Sequence, residues 1–129
     1  MTEHNYRAFL GVFGKSYTLT LENNGKYFSM PAKTTKSSNI HKITLIALDD
    51  LLNSITRAIK TGCTIQFYCD DFDTCYEWNK EYKNKKAFSD TKYEDYWNKI
   101  IKQIKAYGID LYVIKSSYLN VVGKINKWI

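Results

Sequence analysis

Three carboxylates near the middle of the chain are the residues best suited to metal-dependent chemistry. Asp70, Asp71 and Asp73 follow a predicted strand over 64–69. Carboxylate oxygens hold Mg²⁺ beside phosphate, and two such ions can hydrolyse a phosphodiester. Because side chains alternate along an extended segment, Asp71 is expected to point away from Asp70, and Asp73 to begin the next helix. Asp71 and Asp73 are therefore interpreted as helix-capping residues, and Asp70 as either a metal ligand or a surface carboxylate at a strand end.

A second candidate site is a cluster in which aromatic residues alternate with lysines. Lysines neutralise phosphates, and aromatic rings stack on bases or pack against sugars, so such a cluster can bind nucleic acid. The alternative is a solvated helix whose aromatic residues face the core while its lysines face water. The cluster comprises Trp78, Lys80, Tyr82, Lys83, Lys85 and Lys86.

The charge of the chain also favours a polyanionic partner. The formal net charge is +6 and the isoelectric point is near 9.1, which suits nucleic acid or an acidic protein surface. Arg7 and Arg57 are the only arginines among 19 basic residues, so binding should be directed at the nucleic-acid backbone and sensitive to salt. Cys63, Cys69 and Cys75 are too sparse for a zinc site and are interpreted as reduced thiols.

Length and hydropathy predict one globular domain over residues 1–129. No apolar run is long enough to cross a membrane, and the first residues do not resemble a signal peptide, so a cytoplasmic protein is expected. The bias towards Lys, Asn, Ile and Tyr suggests an AT-rich genome, such as that of a low-GC bacterium or its phage.

The elements that must position these residues follow the order β-β-β-α-β-α-α-β-α. Asn24-Gly25 predicts a two-residue hairpin turn, and apolar residues at helical spacing from 40 to 59 predict a long helix that Gly62 ends in a left-handed turn. A strand reached through so long a helix is expected to be parallel to an earlier strand. The prediction is an α/β fold with a mixed five-stranded sheet and helices on both faces. The other predicted elements are strands at 6–13, 17–21, 26–30, 64–69 and 109–114, and helices at 74–83, from the capping residue Thr91 to Gly108, and at 121–129.

This order of elements resembles ribonuclease H over most of the chain. Residues 17–45 follow the family's hairpin, turn, polar linker and helix start almost without gaps. Asp70 matches the catalytic aspartate at the end of the fourth family strand, and Ser117 lies at or near the histidine that assists product release. The resemblance implies a scaffold for magnesium-dependent hydrolysis of the RNA strand of a hybrid.

The same resemblance implies four catalytic carboxylates, and three of their positions are empty. Thr44 stands at the position of the glutamate, and Asn126 where the fourth carboxylate is expected. The first aspartate belongs in the opening strand, but no acidic residue occurs between Glu3 and Glu22. One carboxylate cannot hold two magnesium ions, so the resemblance implies a scaffold without its metal site.

The function expected from the sequence is therefore binding without catalysis. A ribonuclease H-like domain would bind an RNA–DNA hybrid or a duplex through the lysine and aromatic cluster, together with His41, Lys115 and Ser117, and without a cofactor. One alternative is a small intracellular inhibitor or decoy from a phage or mobile element that binds a protein. The other is a divergent ribonuclease H that uses Asp70 with Mg²⁺.

Overall fold

The structure, a computed structural model, describes residues 5–58, 62–82 and 93–116. Six strands and three α-helices are present in these ranges, and a π-helical turn, Trp78–Tyr82, continues the second helix. The strands are β1 (Asn5–Phe13), β2 (Ser16–Asn23), β3 (Lys26–Ser29), β4 (Lys33–Thr34), β5 (Thr64–Cys69) and β6 (Asp110–Lys115), and the helices are α1 (Ile40–Ala58), α2 (Phe72–Glu77) and α3 (Glu94–Tyr107).

The strands form one mixed sheet in the order β3-β2-β1-β5-β6. β1 pairs antiparallel with β2 and β2 with β3, whereas β5 is parallel to both β1 and β6. This confirms the predicted α/β arrangement of three antiparallel and two further parallel strands. The sheet has a sixth strand that the sequence did not indicate, because β4 is only two residues long and pairs with β2 beside the main path.

Glycines act in two different ways at the ends of the elements. Asn24 and Gly25 have φ of 53° and 80°, which confirms the predicted hairpin turn, and Gly108 ends α3 in a left-handed conformation with φ of 64°. Gly62 does not have a positive φ, contrary to the prediction. A Cβ at Gly62 would lie 2.4 Å from the carbonyl oxygen of Gly108, so this glycine permits a close approach of two backbones.

The core lies between one face of the sheet and all three described helices. α1 buries Ile43, Ala47 and Leu51 at helical spacing, and Trp97 of α3 is fully buried beside them. Burying an aliphatic side chain of this kind contributes about 1.5–3 kcal/mol relative to its exposure. The strand residues that face this core are Ala8, Leu10, Tyr17, Leu19, Ile65, Phe67, Leu111 and Val113.

The opposite face of the sheet is more polar. It presents Arg7 and Gln66, and Phe9 stacks on Tyr68 with 5.0 Å between the ring centroids. The helix predicted at 121–129 lies outside the described residues. No helix in the described ranges is long and apolar enough to span a membrane.

Candidate nucleic-acid interface

Asp70, the carboxylate that matches the family's catalytic aspartate, takes part in an ion pair at the protein surface. Lys115 ends β6 opposite Cys69, which places its ammonium group next to the residue that follows β5. The Lys115 Nζ donates to Asp70 Oδ1 at 2.7 Å, and the two side chains are 47% and 40% exposed. The hydrogen bond to Asp70 raises the pKa of Lys115. The carboxylate is therefore neutralised by a lysine of the adjacent strand.

The strand on the other side of Asp70 provides no metal ligand. β1 is parallel to β5 with Phe9 opposite Tyr68, so Gly11 is the β1 residue level with Asp70. A Cβ at Gly11 would lie 3.2 Å both from the Phe13 ring and from Thr18 Oγ1. The Cβ of an aspartate at this position would therefore be closer to these neighbours than ordinary van der Waals contact allows.

Thr44, at the position of the family's glutamate, uses its hydroxyl within its own helix. The side chain is fully buried, and Oγ1 donates to the carbonyl of Ile40 at 2.7 Å. The structure thus favours the interpretation of Thr44 as a polar residue early in a helix. Asn126 lies outside the described residues. Among those described, no group of three or more His, Cys, Asp or Glu side chains is placed to hold a metal ion, so Asp70 and its neighbours do not fit a two-magnesium site.

His41 lies in a buried polar network that joins the three helices. Its Nδ1 lies 2.8 Å from Asp71 Oδ2 and 3.0 Å from Thr74 Oγ1, and its Nε2 lies 3.1 Å from Glu77 Oε1. The same Glu77 oxygen accepts from Trp97 Nε1 at 2.7 Å. Asp71 also caps α2 by accepting from the backbone N–H of Thr74, as the sequence predicted for this residue.

The charges of this network fix the protonation of the imidazole. Burial by itself lowers the pKa of His41, but hydrogen bonds to Asp71 and Glu77 and the charges of these carboxylates outweigh it and raise the pKa to about 9. Burial raises the pKa of Asp71, but bonds from His41 and Thr74 reverse this and lower it. His41 is therefore an imidazolium that donates from both nitrogens.

This arrangement corrects the expectation that His41 contacts nucleic acid. The residue is only 8% exposed, and both ring nitrogens are occupied by carboxylates. The sequence could not show this role, because Asp71 is 30 residues away.

Trp78 is also corrected, because its indole belongs to the core. It is 2% exposed, donates from Nε1 to the carbonyl of Leu111 at 3.2 Å and stacks on Trp97 with 5.8 Å between centroids. The side chain of Tyr82 lies outside what the structure describes, as do Lys83, Lys85, Lys86 and Ser117. Lys80 is exposed, as expected of a binding lysine.

Lys80 belongs to an exposed surface that the sequence prediction missed, the aromatic ridge, formed by Phe72, Tyr76 and Lys80. Phe72 is 65% and Tyr76 47% exposed, and their rings stack with 5.7 Å between centroids. The Lys80 ammonium donates to the Tyr76 hydroxyl at 2.8 Å and lies 5.1 Å from the centre of that ring. The spacing i, i+4, i+8 could have indicated a shared helix face. The ridge begins two residues after Asp70.

A pocket of about 400 Å³ with several lysines lies at the beginning of α1. Lys33 binds Asp50 at 2.6 Å, and Lys36 and Lys42 line the same pocket. The first turn of α1 contains no acidic residue, so the positive end of the helix dipole adds to the lysine charge. This lysine pocket suits an anion such as a backbone phosphate. Its other lining residues include Tyr17, Ser37 and Tyr96.

Comparisons with known proteins identify the fold. No protein-family model matches the sequence, and no curated protein is similar to it. The structure is similar to the foamy virus protease-reverse transcriptase in complex with double-stranded DNA, with a TM-score of 0.56, 8% identity, and coverage of 90% of this chain and 82% of the other. It is also similar to that viral protein in complex with an RNA/DNA hybrid, with a TM-score of 0.59, 7% identity, and coverage of 98% of this chain. The chain spans about a fifth of the latter's length, 19%.

A ribonuclease H1 of similar size also matches. The enzyme from the halophilic archaeon Halobacterium salinarum superposes with a TM-score of 0.51 and 9% identity over 92% of this chain and 89% of its own. These identities are so low that the likeness concerns the fold. The chain has a ribonuclease H-like fold.

Proposed function

We propose that this protein is a non-catalytic ribonuclease H-like domain that binds an RNA–DNA hybrid or a duplex through the aromatic ridge and the lysine pocket. The aromatic ridge carries the proposal. Two stacked rings are exposed to solvent on a short helix, with a lysine ammonium at their end. Rings in such a position can stack on bases or pack against sugars, at about 1–3 kcal/mol per stacked base.

The charges around the ridge support a polyanionic partner. Lys80 lies at the end of the ridge, and Lys36 and Lys42 line the pocket at the beginning of α1. Asp70 is neutralised by Lys115, and Asp71 by His41, so two of the acidic residues at this end do not oppose a phosphate backbone with full charge. Similar solved structures of foamy virus protease-reverse transcriptase contain double-stranded DNA or an RNA/DNA hybrid, in agreement with this partner.

The residues around Asp70 support the absence of catalysis. Magnesium-dependent hydrolysis needs several carboxylates around two ions. Asp70 faces an ammonium group on one side and Gly11 on the other, and Thr44 is buried.

Fluorescence anisotropy with labelled hybrid, duplex and single-stranded oligonucleotides tests the binding. Replacing both Phe72 and Tyr76 by Ala should weaken hybrid binding about tenfold or more, since each lost base contact is worth about 1–3 kcal/mol. Phe28→Ala is the matched control, because Phe28 is 58% exposed on β3, away from the ridge. Equal affinity of wild type, double variant and control, or no binding by the wild type, would contradict the proposal.

A second set of variants tests the lysine pocket. Lys36→Glu with Lys42→Glu should lower affinity for every nucleic acid by a similar factor and reduce the dependence on salt, because phosphate contacts do not depend on sequence. Lys26→Glu, an exposed charge reversal at the hairpin, is the control. A loss of affinity as large in the control as in the pocket variant would point to net charge alone.

The two alternative functions have distinct outcomes. Incubation with a labelled hybrid and Mg²⁺ or Mn²⁺ should produce no cleavage, and cleavage that disappears in Asp70→Asn would show a divergent nuclease. Co-purification of a stoichiometric protein that survives nuclease treatment and is lost in the ridge double variant would favour a protein partner.

A further inference from the structure

Two of the three cysteines meet where β5 leads into α2. Cys69 is the last residue of β5 and is fully buried, and Cys75 is the fourth residue of α2 and is 7% exposed. Their sulfur atoms are 3.8 Å apart. Cys63 precedes β5 at its other end, about 20 Å away at the rise of an extended strand.

We propose that Cys69 and Cys75 are an oxidation-sensitive thiol pair that forms an intramolecular disulfide when it meets a peroxide, and thereby fastens α2 to the end of β5. No nucleic acid is required for this reaction. Its consequence for binding, a change in the position of the aromatic ridge, rests on the proposed function, because Phe72 and Tyr76 are residues of α2.

The position of the two thiols suits this bond. A disulfide needs a distance of about 2.0 Å between its sulfurs, so the present 3.8 Å must shorten. β5 is held by hydrogen bonds to β1 and to β6, whereas α2 is only six residues long. The movement therefore falls on α2. Cys69 Sγ also lies 3.9 Å from the carbonyl of Asp71, so the turn between the two cysteines already folds over the buried sulfur.

The reaction balances with one molecule of hydrogen peroxide. Cys75 is the more exposed thiol and reacts first: its sulfur attacks one peroxide oxygen, the O–O bond breaks, and the thiol proton joins the departing hydroxide, so that a sulfenic acid and water are formed. The Cys69 thiol then attacks the Cys75 sulfur, the S–S bond forms as the S–O bond breaks, and the Cys69 proton goes to the sulfenic oxygen, which leaves as a second water. Two thiols are oxidised by two electrons while the peroxide is reduced.

Mass spectrometry of the intact chain after mild hydrogen peroxide treatment and alkylation in denaturant tests the proposal. The wild type should lose the mass of two hydrogen atoms and take up one alkyl group, on Cys63, instead of three. A reducing agent should restore all three thiols, and peptide mapping should identify the Cys69–Cys75 link.

Matched variants separate this pair from other cysteine chemistry. Cys63→Ser should still lose two hydrogen atoms and take up no alkyl group, whereas Cys75→Ala should not form the internal link. Cys69→Ala provides a second variant without the pair, should Cys75→Ala fail to fold by circular dichroism.

Three alkyl groups on the peroxide-treated wild type would overturn the proposal. So would a gain of oxygen at Cys75 without the link, or a link that contains Cys63. Because the mass is read on the protein alone, failure of the disulfide and failure of nucleic-acid binding are distinguishable.

Discussion

Two neighbouring carboxylates of this chain lie in opposite surroundings. Asp70 is 40% exposed in its side chain and pairs with a lysine at the rim of the sheet. Asp71 is buried and binds the imidazolium of His41 and the first turn of α2. The buried network around Asp71 joins three helices, whereas the exposed pair of Asp70 and Lys115 joins only the ends of two strands.

The contrast teaches where polar interactions count in this molecule. In a buried network, removal of one side chain leaves its partners without a hydrogen bond or an opposite charge, and the loss of folding stability is large. In an exposed ion pair, water replaces the missing partner, and folding stability changes little. Catalysis would require a cluster of acidic residues at this end of the sheet, but Asp70 is paired there with Lys115. The buried ion pair is the one between Asp71 and His41, and its role is structural.

The largest effect on stability is expected for Trp78, a buried residue on the same short helical segment as the exposed Tyr76. Trp78→Ala removes a buried indole and should destabilise the protein by about 4 kcal/mol, whereas Tyr76→Ala should stay within about 0.5 kcal/mol. Urea unfolding of both variants measures this. Similar losses for the two would mean that the ridge also supports the core.

Next in size is the loss of the imidazolium. His41→Ala leaves the buried Asp71 and the partly buried Glu77 without their cation and should lower the free energy of unfolding by about 3 kcal/mol. Lys115→Ala, the matched change at the exposed pair, should leave it unchanged. If denaturant unfolding gives the reverse order, the buried network is not what holds the helices together.

The pH dependence of stability should follow the same network. His41 binds its proton more tightly in the folded protein, with a pKa of about 9 against an ordinary 6.5. Its contribution is therefore complete below pH 6.5 and is lost as the pH rises through 9. Asp71, whose pKa is lowered, contributes above its usual 3.8 and loses this contribution as the pH falls through the lower folded value.

Between pH 6.5 and 9 the wild type should lose about 2–3 kcal/mol of stability that His41→Gln does not lose. Urea midpoints across this range provide the measurement. Parallel curves for wild type and variant would contradict the assignment of the imidazolium.

The smallest effect is expected at Asp70. Asp70→Asn should leave stability unchanged and tighten hybrid binding about twofold at low salt, because Lys115 then presents its full charge to phosphate. Anisotropy titrations of wild type and variant at two salt concentrations test this. Weaker binding by the variant would restore a direct role for the carboxylate.

The sequence predicted turns, helix ends and strand pairing better than it predicted the surroundings of individual side chains. The Asn24-Gly25 turn and the end of α3 at Gly108 follow from backbone conformation, and both are confirmed. The parallel pairing of β5 follows from the long helix before it. For Trp78 the sequence left two positions open, the surface and the core, and its burial and its hydrogen bond to Leu111, 33 residues away, favour the core.

The candidate site was predicted less completely, although its residues lie close together in the sequence. The sequence showed that lysines and aromatic residues lie close together, but it did not show which aromatic rings are exposed to solvent. The π-helical turn continues α2 with Trp78 in the core, while Phe72 and Tyr76 remain outside. The residues that were expected to stack and those that are placed to do so therefore differ by a few positions on one helical segment.

The close approach of Gly62 to Gly108 sets a limit on how this sequence can vary. Any side chain at position 62 meets a backbone oxygen that cannot rotate away, so a library of substitutions at this position should yield no folded member that keeps the present geometry. Gly14 and Gly25 have nothing within 4 Å of an added Cβ and are limited by their torsion angles alone. Asparagine already adopts φ of 53° at position 24, so it can replace either of these two glycines. Of these three glycines, the one at position 62 is closed to change by its neighbour, while the other two are restricted only by their own backbone.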